Sequence, residues 1–294
     1  MSDTTNPIPA GLGIIDCMLG IPEAEDRSDW FAAFRPLIKD AETLKQFSMP
    51  AQYMFKDVPQ TGNPGDFVAW TVAQMDRFGI EKALVGWNDN ETSRRAKAEF
   101  PDRFFFDLPC NPNDGMAEVA RIRRIHAEVG LSAISVFPAG TCPQVPLNHK
   151  YMFPLYTVAS ELGLPVCLNV GVPGPRIPMD TQKVEYLDEV CWFFPDLKIV
   201  MRHGAEPWEA LAVKLMLKWP NLYYSTSAFA PRHYPKAIID FANTRGTDKI
   251  IYAGYFPMGL SLDRIFADMP KVPFKPEVWP KFLRENARRV FNLI

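Results

Sequence analysis

His203 is the residue of this chain whose type and position most clearly suggest chemistry. The sequence contains four histidines, and His203 follows a short apolar stretch, Lys198–Met201, that is typical of a buried strand. A helical pattern begins shortly afterwards, near Pro207. A side chain between a strand and its crossover helix lies where barrel enzymes place their catalytic groups. Because imidazole titrates near neutral pH, His203 is predicted to be a general acid or base.

Two further polar residues are predicted to act with His203. Asn169 ends one apolar stretch and Tyr255 follows another, and both side chains can donate a hydrogen bond to a carbonyl or enolate oxygen. Structural roles are the alternative, with Tyr255 only filling space and His203 only hydrogen-bonded. The residues predicted to contact a substrate are Asp16, Met18, Trp87, Asn111, Phe137, Arg176 and Ser225.

Two of these predicted contacts have specific alternatives. Arg176 can pair with a substrate carboxylate, although an arginine in a loop is more often solvated. Asp16 can orient His203 or cap backbone amides at its strand end, and the second role is favoured. The bulk of Met18, Trp87 and Phe137 suggests an apolar ligand.

The composition restricts the possible partners. Apolar residues make up 47% of the chain, charged residues 22%, and the formal net charge is −2. The sequence has no basic run, no apolar run of membrane-spanning length and no signal-peptide pattern at its start. The five cysteines are widely spaced without a CxxC pair, which is typical of free thiols in a reducing compartment. We therefore expect a cytoplasmic protein with a small-molecule ligand, and neither nucleic acid nor membrane as partner.

Regular alternation of apolar runs and helical patterns predicts the elements that position these residues. The predicted strands are 11–20, 82–87, 104–108, 132–137, 165–170, 198–201, 222–225 and 249–253. Each is followed by a helical pattern, and Pro280–Phe291 is the closing helix. Eight such units with continuous apolar strands predict a single-domain (β/α)8 TIM barrel over residues 1–294. An open doubly wound sheet is the alternative, but no GxGxxG turn follows the first strand.

Residues 21–66 form a long connection after the first predicted strand. This region is irregular but rich in large apolar side chains, which include Trp30, Phe34 and Phe55. Connections this long inside a compact domain are usually functional. It is predicted to be a folded cap near one end of the barrel, or alternatively a subdomain that only covers apolar surface.

Several motifs resemble the amidohydrolase-related barrels (amidohydrolase 2), in the branch of aminocarboxymuconate semialdehyde decarboxylase and related aromatic-acid decarboxylases. The resemblance covers nearly the whole chain. Its most specific parts are IIDCMLGIPE (14–23), LNHKYMFPLYTVASELGLPV (147–166), FPDLKIVMRHGAEPW (194–208), KWPNLYYSTSA (218–228), KIIYAGYFP (249–257) and ENARRVF (285–291). This resemblance implies a metal-dependent-hydrolase-like barrel and hydrolase or decarboxylase activity.

The resemblance also implies a divalent metal, usually zinc, and here the sequence departs from the pattern. The family's HxH after strand 1 falls on Met18 and Gly20, its strand 5 histidine on Asn169, and its strand 8 aspartate on Tyr255. Only the strand 6 histidine is kept, as His203. Glycine, a neutral amide and a protonated phenol are poor ligands for zinc. We therefore expect no metal and no other cofactor.

Two functions remain compatible with these residues. The first is a metal-independent hydrolase or carbon–carbon lyase that acts on a carbonyl or carboxylate compound. The second is a non-catalytic barrel that binds a ligand or serves as partner subunit of a metal-bearing homologue. The resemblance also implies a homodimer.

Overall fold

The barrel consists of eight parallel strands that pair in chain order. The computed structural model describes residues 8–293. Every strand is hydrogen-bonded to the next one along the chain. The bounds are β1 (Ile14–Asp16), β2 (Ile80–Gly86), β3 (Phe104–Pro109), β4 (Ala133–Val136), β5 (Val166–Asn169), β6 (Ile199–Arg202), β7 (Leu222–Ser225) and β8 (Ile250–Ile251). This confirms the predicted TIM barrel and excludes the open doubly wound alternative.

Helices cover the outside of the strands. They are α1 (Ala41–Lys45), α2 (Phe67–Arg77), α3 (Glu91–Glu99), α4 (Gly115–Val129), α5 (Phe153–Glu161), α6 (Tyr186–Phe193), α7 (Glu209–Lys218), α8 (Lys236–Ala242), α9 (Leu262–Asp268), α10 (Val278–Pro280) and α11 (Asn286–Val290). A π-helical segment, Lys281–Glu285, joins the last two. Short 3-10 segments are Ser28–Leu37, Gln52–Met54, Pro112–Asp114, Pro138–Gly140, Asp180–Gln182, Pro231–His233 and Met269–Lys271. No helix within residues 8–293 combines the length and hydropathy that a membrane span needs.

The barrel closes between the chain after β1 and the chain after β8. Leu19 and Phe256 form a parallel bridge. The backbone N–H of Tyr255 donates to the carbonyl of Met18 at 3.0 Å, and that of Gly20 donates to Phe256 at 2.8 Å. These bonds remove the sheet edges that an open arrangement would expose. They also set Met18, Gly20 and Tyr255 side by side at the carboxyl end of the barrel.

The region between β1 and α2 lies over this end of the barrel. On the β8 side, Arg264 donates to the carbonyl of Lys56 at 2.9 Å. On the β5 side, Arg176 pairs with Asp40 and Glu42, each at 2.8 Å. We refer to residues 21–66 as the cap, because these contacts hold the region across the mouth of the barrel from both sides.

Among the elements that differ from the sequence prediction are β1 and α9. β1 spans three residues, whereas residues 11–20 were predicted as strand, because the Asp16 carboxylate accepts the Met18 N–H at 2.9 Å and interrupts the ladder. Helix α9 was not predicted. It is only two turns long, and its start is fixed by the Ser261 hydroxyl, which accepts the Arg264 N–H at 3.2 Å. Short helices of this kind carry too little periodicity to be recognised.

The closing helical segment is anchored in the core by Trp279. This side chain is fully buried, and its ring lies 5.2 Å from Phe274 and 6.3 Å from Phe282. Trp192, in contrast, is 68% exposed on α6. The two tryptophans therefore provide a matched pair for measuring what core packing contributes to stability.

We expect Trp279→Ala to lower the free energy of unfolding by about 3–5 kcal/mol, because it leaves a large cavity among buried rings. Trp192→Ala should change it by no more than about 0.5 kcal/mol. Urea denaturation followed by circular dichroism measures both changes. Equal losses for the two variants would contradict the packing described here.

Candidate active site

A cavity of about 1670 Å³ opens at the carboxyl ends of the strands, beneath the cap. The barrel contributes Asp107, Asn169, Arg202, His203 and Tyr255 to its lining. The cap contributes mainly large apolar side chains, which are Trp30, Phe31, Phe34, Met49, Met54 and Phe55. Binding sites for small molecules commonly combine such an apolar enclosure with a few convergent polar groups.

Unfavourable backbone conformations cluster around this cavity. His203, Ala205, Ala228 and Tyr255 all have positive φ, at 68°, 62°, 70° and 81°. Non-glycine residues in this region cost about 1–3 kcal/mol each and are retained where the surrounding structure imposes them. All four lie within four residues of the end of β6, β7 or β8. The clustering indicates that the barrel holds His203 and Tyr255 in positions that local preference alone would not give.

His203 is a neutral imidazole at the end of β6. Burial lowers its pKa to about 3, and the nearby positive charge of Arg202 acts in the same direction. A histidine with so low a pKa is almost never protonated at neutral pH. It can therefore donate one hydrogen bond from its ring, but it is a weak base.

Ser227 is the polar neighbour of the His203 ring. Its hydroxyl oxygen accepts the backbone N–H of His203 at 3.1 Å and lies 3.3 Å from the ring Nδ1. A hydrogen bond between the ring and the Ser227 backbone favours the protonated imidazole, but burial outweighs it. In either tautomer, the neutral ring keeps one N–H donor and one acceptor nitrogen. Sequence reasoning did not single out Ser227, which is one of two serines in the STSA stretch after β7.

Tyr255 and Asn169 supply two more neutral donors. The Tyr255 ring lies edge-on to His203, with 5.3 Å between ring centroids. Burial raises the pKa of Tyr255 to about 12, so its hydroxyl stays protonated. Asn169 ends β5, the neighbour of β6, and its register partner there is Arg202. Its amide has no hydrogen-bond partner in the described part of the chain. The structure thus brings the three predicted catalytic residues to one cavity.

Three of the predicted substrate contacts also line the cavity, namely Met18, Asn111 and Phe137. Phe137 meets the cap residue Phe34 edge-on at 5.5 Å. Asn111 caps the following 3-10 segment by accepting the Asn113 N–H at 3.2 Å. These positions allow each of the three residues to contact a ligand, and that contact stays a prediction.

The other four predicted contacts are absent from the cavity lining. Trp87 is buried against Phe106, and the Ser225 hydroxyl donates to the Met201 carbonyl at 3.2 Å. Arg176 is held by its two carboxylate partners in the cap, and its guanidinium also covers the ring of Tyr53 at 4.5 Å. Asp16, the fourth, is completely buried. In the present arrangement the side chains of these residues have protein partners instead of facing the cavity.

Asp16 connects β1 to the chain after β8. One carboxylate oxygen accepts the backbone N–H groups of Met18 and Gly254, both at 2.9 Å, while the other has no hydrogen-bond partner in residues 8–293. Burial raises the pKa of Asp16 to about 7. A Cβ on Gly254 would lie 2.6 Å from the unpaired oxygen, so only glycine fits beside it. Asp16 therefore caps backbone amides at the barrel seam, the role favoured from the sequence.

A buried ion pair forms part of the cavity wall. Arg202 contacts Asp107 at 3.1 Å, and both side chains are less than a tenth exposed. This pair joins the ends of β6 and β3 across the barrel. Sequence reasoning did not predict it, because the partners are 95 residues apart in the chain.

The described residues hold no cluster of three or more histidine, cysteine, aspartate or glutamate side chains arranged to bind a metal ion. His203 shares the cavity lining with Asn169, Tyr255 and the ion-paired Asp107.

Comparisons with known proteins identify the barrel type. The sequence model of the amidohydrolase family matches residues 40–293, whereas no curated protein matches the chain. An uncharacterised TIM-barrel protein of Bordetella bronchiseptica has a TM-score of 0.70 at 21% identity, over 95% of this chain and 98% of its own. The 5-carboxyvanillate decarboxylase of Novosphingobium aromaticivorans, solved with manganese, has a TM-score of 0.69 at 17% identity over the whole of both chains. The 2,6-dihydroxybenzoate decarboxylase of Rhizobium has 0.63 at 16% identity, over 96% and 99%. At these identities the similarity establishes the fold.

The raised pKa of Asp16 predicts how Asp16→Asn changes stability with pH. Between the ordinary carboxyl pKa of 3.8 and about 7, the folded protein keeps a proton on Asp16 that the unfolded chain releases. The contribution of Asp16 to stability is therefore largest below pH 3.8 and is lost as pH rises through 7. Relative to wild type, Asp16→Asn should gain stability as pH rises, by up to about 1.4 kcal/mol for each unit of pKa shift.

Urea denaturation at about pH 4 and about pH 8 measures this difference. Asp29→Asn, at an exposed position in the cap, is the matched control and should show no such trend. A stability difference between Asp16→Asn and wild type that is the same at both pH values would contradict the raised pKa.

Proposed function

Because the chain belongs to the amidohydrolase family, we propose that it is a carbon–carbon lyase of the decarboxylase type that acts on a carboxylated carbonyl or aromatic compound. The observation that carries the proposal is the presence of three neutral hydrogen-bond donors, His203, Tyr255 and Asn169, in the lining of one cavity. The aromatic side chains of the cap provide an apolar enclosure for the body of such a substrate. The decarboxylases among the structural neighbours support the same reaction class.

The three donors suit a reaction in which negative charge develops on oxygen. In decarboxylation of a β-keto acid, the carbon–carboxylate bond breaks, carbon dioxide leaves, and the electron pair passes to the conjugated carbonyl oxygen to form an enolate; a proton from water then replaces the carboxylate on carbon and leaves hydroxide. In an aromatic acid with a neighbouring phenolate, the proton from water adds first to the carbon that bears the carboxylate, and the phenolate oxygen becomes a ring carbonyl. Loss of carbon dioxide then returns the electron pair of the broken bond to the ring and restores the phenolate. Donors placed around that oxygen lower the barrier because they stabilise the charge as it forms. Neutral histidine and tyrosine donors both have this role in other enzymes.

The pKa of His203 favours a lyase over a hydrolase. Hydrolysis without a metal requires a base that deprotonates water, and an imidazole with a pKa of about 3 is too weak for this at neutral pH. Donation from the N–H of the neutral ring does not require His203 to change its protonation state. His203 is therefore assigned as a donor, in place of the acid/base role expected from the sequence.

We further propose that these donors work without a resident divalent metal. The family's ligand positions fall on Met18, Gly20, Asn169 and Tyr255, with His203 as the one retained histidine. At Gly20, a Cβ would lie 2.8 Å from the Trp30 ring and 3.0 Å from the Met258 sulfur, which leaves no room for an imidazole. Tyr255, with its pKa of about 12, is a protonated phenol and a poor zinc ligand. The donor set present does not fit the metal, and the proposed reaction involves no step through it.

The donor assignment predicts different results for two substitutions of His203. We expect His203→Ala to lower kcat by about 100-fold or more, as removal of one oxyanion donor does elsewhere. His203→Gln should retain more activity because the glutamine amide is also a neutral donor. Tyr255→Phe should resemble His203→Ala. Carbon dioxide release from a panel of carboxylated aromatic and acyl compounds provides the assay.

His126→Gln on the outer helix α4 is the matched control and should keep the wild-type rate. Turnover unaffected by both His203→Ala and Tyr255→Phe would contradict the assignment. Equal loss of activity in His203→Gln and His203→Ala, with folding intact by circular dichroism, would instead indicate that the imidazole acts as a base.

The metal-independence proposal predicts that dialysis against a chelator leaves turnover unchanged. Elemental analysis of the purified protein should find far less than one zinc or manganese per chain. A near-stoichiometric metal whose removal abolishes turnover, and whose return restores it, would overturn this part of the proposal.

A further inference from the structure

Arg27, in the cap, is a buried cation that pairs with no carboxylate of residues 8–293. Its side chain is 7% exposed. The described chain buries one other arginine, Arg202, and that residue is paired with Asp107. Neighbouring Asp26 is engaged by Ser28 instead, through both the backbone N–H at 3.0 Å and the hydroxyl. A buried charge without a counterion is costly, so a structure that retains one calls for an explanation.

Two backbone carbonyls hold the Arg27 guanidinium in place. One terminal nitrogen donates to the Pro257 carbonyl, and the other donates to the Pro59 carbonyl at 3.1 Å. The Nε–H has no hydrogen-bond partner in residues 8–293. Carbonyl groups satisfy N–H donors but carry no net charge. No side chain within the described part of the chain therefore compensates the positive charge of Arg27.

This charge acts at the Tyr255 side of the cavity. Pro257, which binds the guanidinium, is two residues from Tyr255. The Arg27 charge is also the effect that opposes burial at Tyr255 and lowers the pKa of its hydroxyl. Phe55 of the cap stacks on the Tyr255 ring, with 5.8 Å between centroids, and covers it on that side. Charges act more strongly across such a covered region than across water.

We propose that Arg27 supplies the fixed positive charge that makes the cavity prefer an anionic oxygen, a phenolate or enolate, over its neutral form. Arg27 does not line the cavity and acts through Tyr255, so it is a positioning residue and not a catalytic one. The inference rests on the proposed function, in which the donors stabilise a developing oxyanion. The inference adds two points to that function. The three donors alone do not account for a preference for the anionic oxygen. The positive charge of Arg27 is present at the cavity only when the cap is in place.

The preference can be measured with 4-nitrophenol, whose phenolate and neutral forms absorb at different wavelengths. Spectrophotometric titration of the full chain with this probe, repeated across a range of pH, gives the affinity for each form. Wild type should bind the phenolate more tightly than the phenol. Arg27→Gln should reduce that ratio by about tenfold, which corresponds to about 1.4 kcal/mol.

Arg35→Gln is the matched control, because it removes an equal charge from an exposed position in the 3-10 segment that directly follows Arg27 in the cap. It should leave the ratio unchanged, and Arg27→Lys, which keeps the charge, should retain most of it. Circular dichroism verifies that each variant is folded. Should Arg27→Gln fail to fold, the comparison of Arg27→Lys with wild type and the ratio in wild type itself remain decisive.

Three outcomes overturn the inference: no phenolate preference in wild type, an unchanged ratio in Arg27→Gln, or equal reductions in Arg27→Gln and Arg35→Gln. A ratio that falls in Tyr255→Phe but not in Arg27→Gln removes the role of Arg27 and leaves the proposed function intact. Turnover in the His203 and Tyr255 variants is measured in a separate assay. Failure of the proposed role of Arg27 is therefore distinguishable from failure of the proposed function.

Discussion

The closure of the barrel between β1 and β8 is the constraint on which the rest of the structure depends. The Asp16 carboxylate lies at this seam and accepts backbone N–H groups from both sides, at Met18 and Gly254. Because these bonds end β1 after three residues, the chain that follows is free to rise into the cap. The same bonds bring the positions after β1 and β8 together. Burying a carboxylate costs free energy, and the raised pKa of Asp16 reflects that cost.

The cap completes the site that the seam begins. Trp30 fills the space beside Gly20, Phe55 covers the ring of Tyr255, and Arg27 binds the carbonyl of Pro257. All three contacts fall on the same side of the barrel mouth. On the opposite side, ion pairs of Arg176 and the Tyr53 hydroxyl, which donates to the Gly174 carbonyl at 2.8 Å, fasten the cap to the loop after β5. The cap therefore determines both the shape of the cavity and its electrostatics.

The proposed stabilisation of charge by neutral groups rests on a shared feature of His203 and Tyr255. His203 and Tyr255 are held in left-handed backbone conformations, and their pKa values are displaced in opposite directions by the same burial. Burial disfavours whichever form is charged, so the imidazole loses its proton and the phenol keeps its own. Both outcomes leave a hydrogen-bond donor in a region of low dielectric constant, where such donors act strongly on developing charge.

Local sequence patterns determined the architecture and the location of the site. Apolar strands, helical periodicity and their eightfold alternation are properties of short segments, and they predicted the barrel and its strand ends. The same patterns placed His203, Asn169 and Tyr255 where the strands converge. Short or irregular elements such as α9 were missed because they carry too little periodicity.

Only the tertiary structure decided how the site residues are partnered. The hydroxyl of Ser227 beside His203, the pairing of Arg202 with Asp107 and the burial of Arg27 join residues from different strands or from the cap. The contact of Trp30 with Gly20 likewise joins the cap to the chain after β1. No local pattern specifies which distant side chains will meet. Burial in turn sets the pKa values, which is why the sequence alone indicated an acid or base at His203, whereas the low pKa of the buried ring leads us to propose a neutral donor.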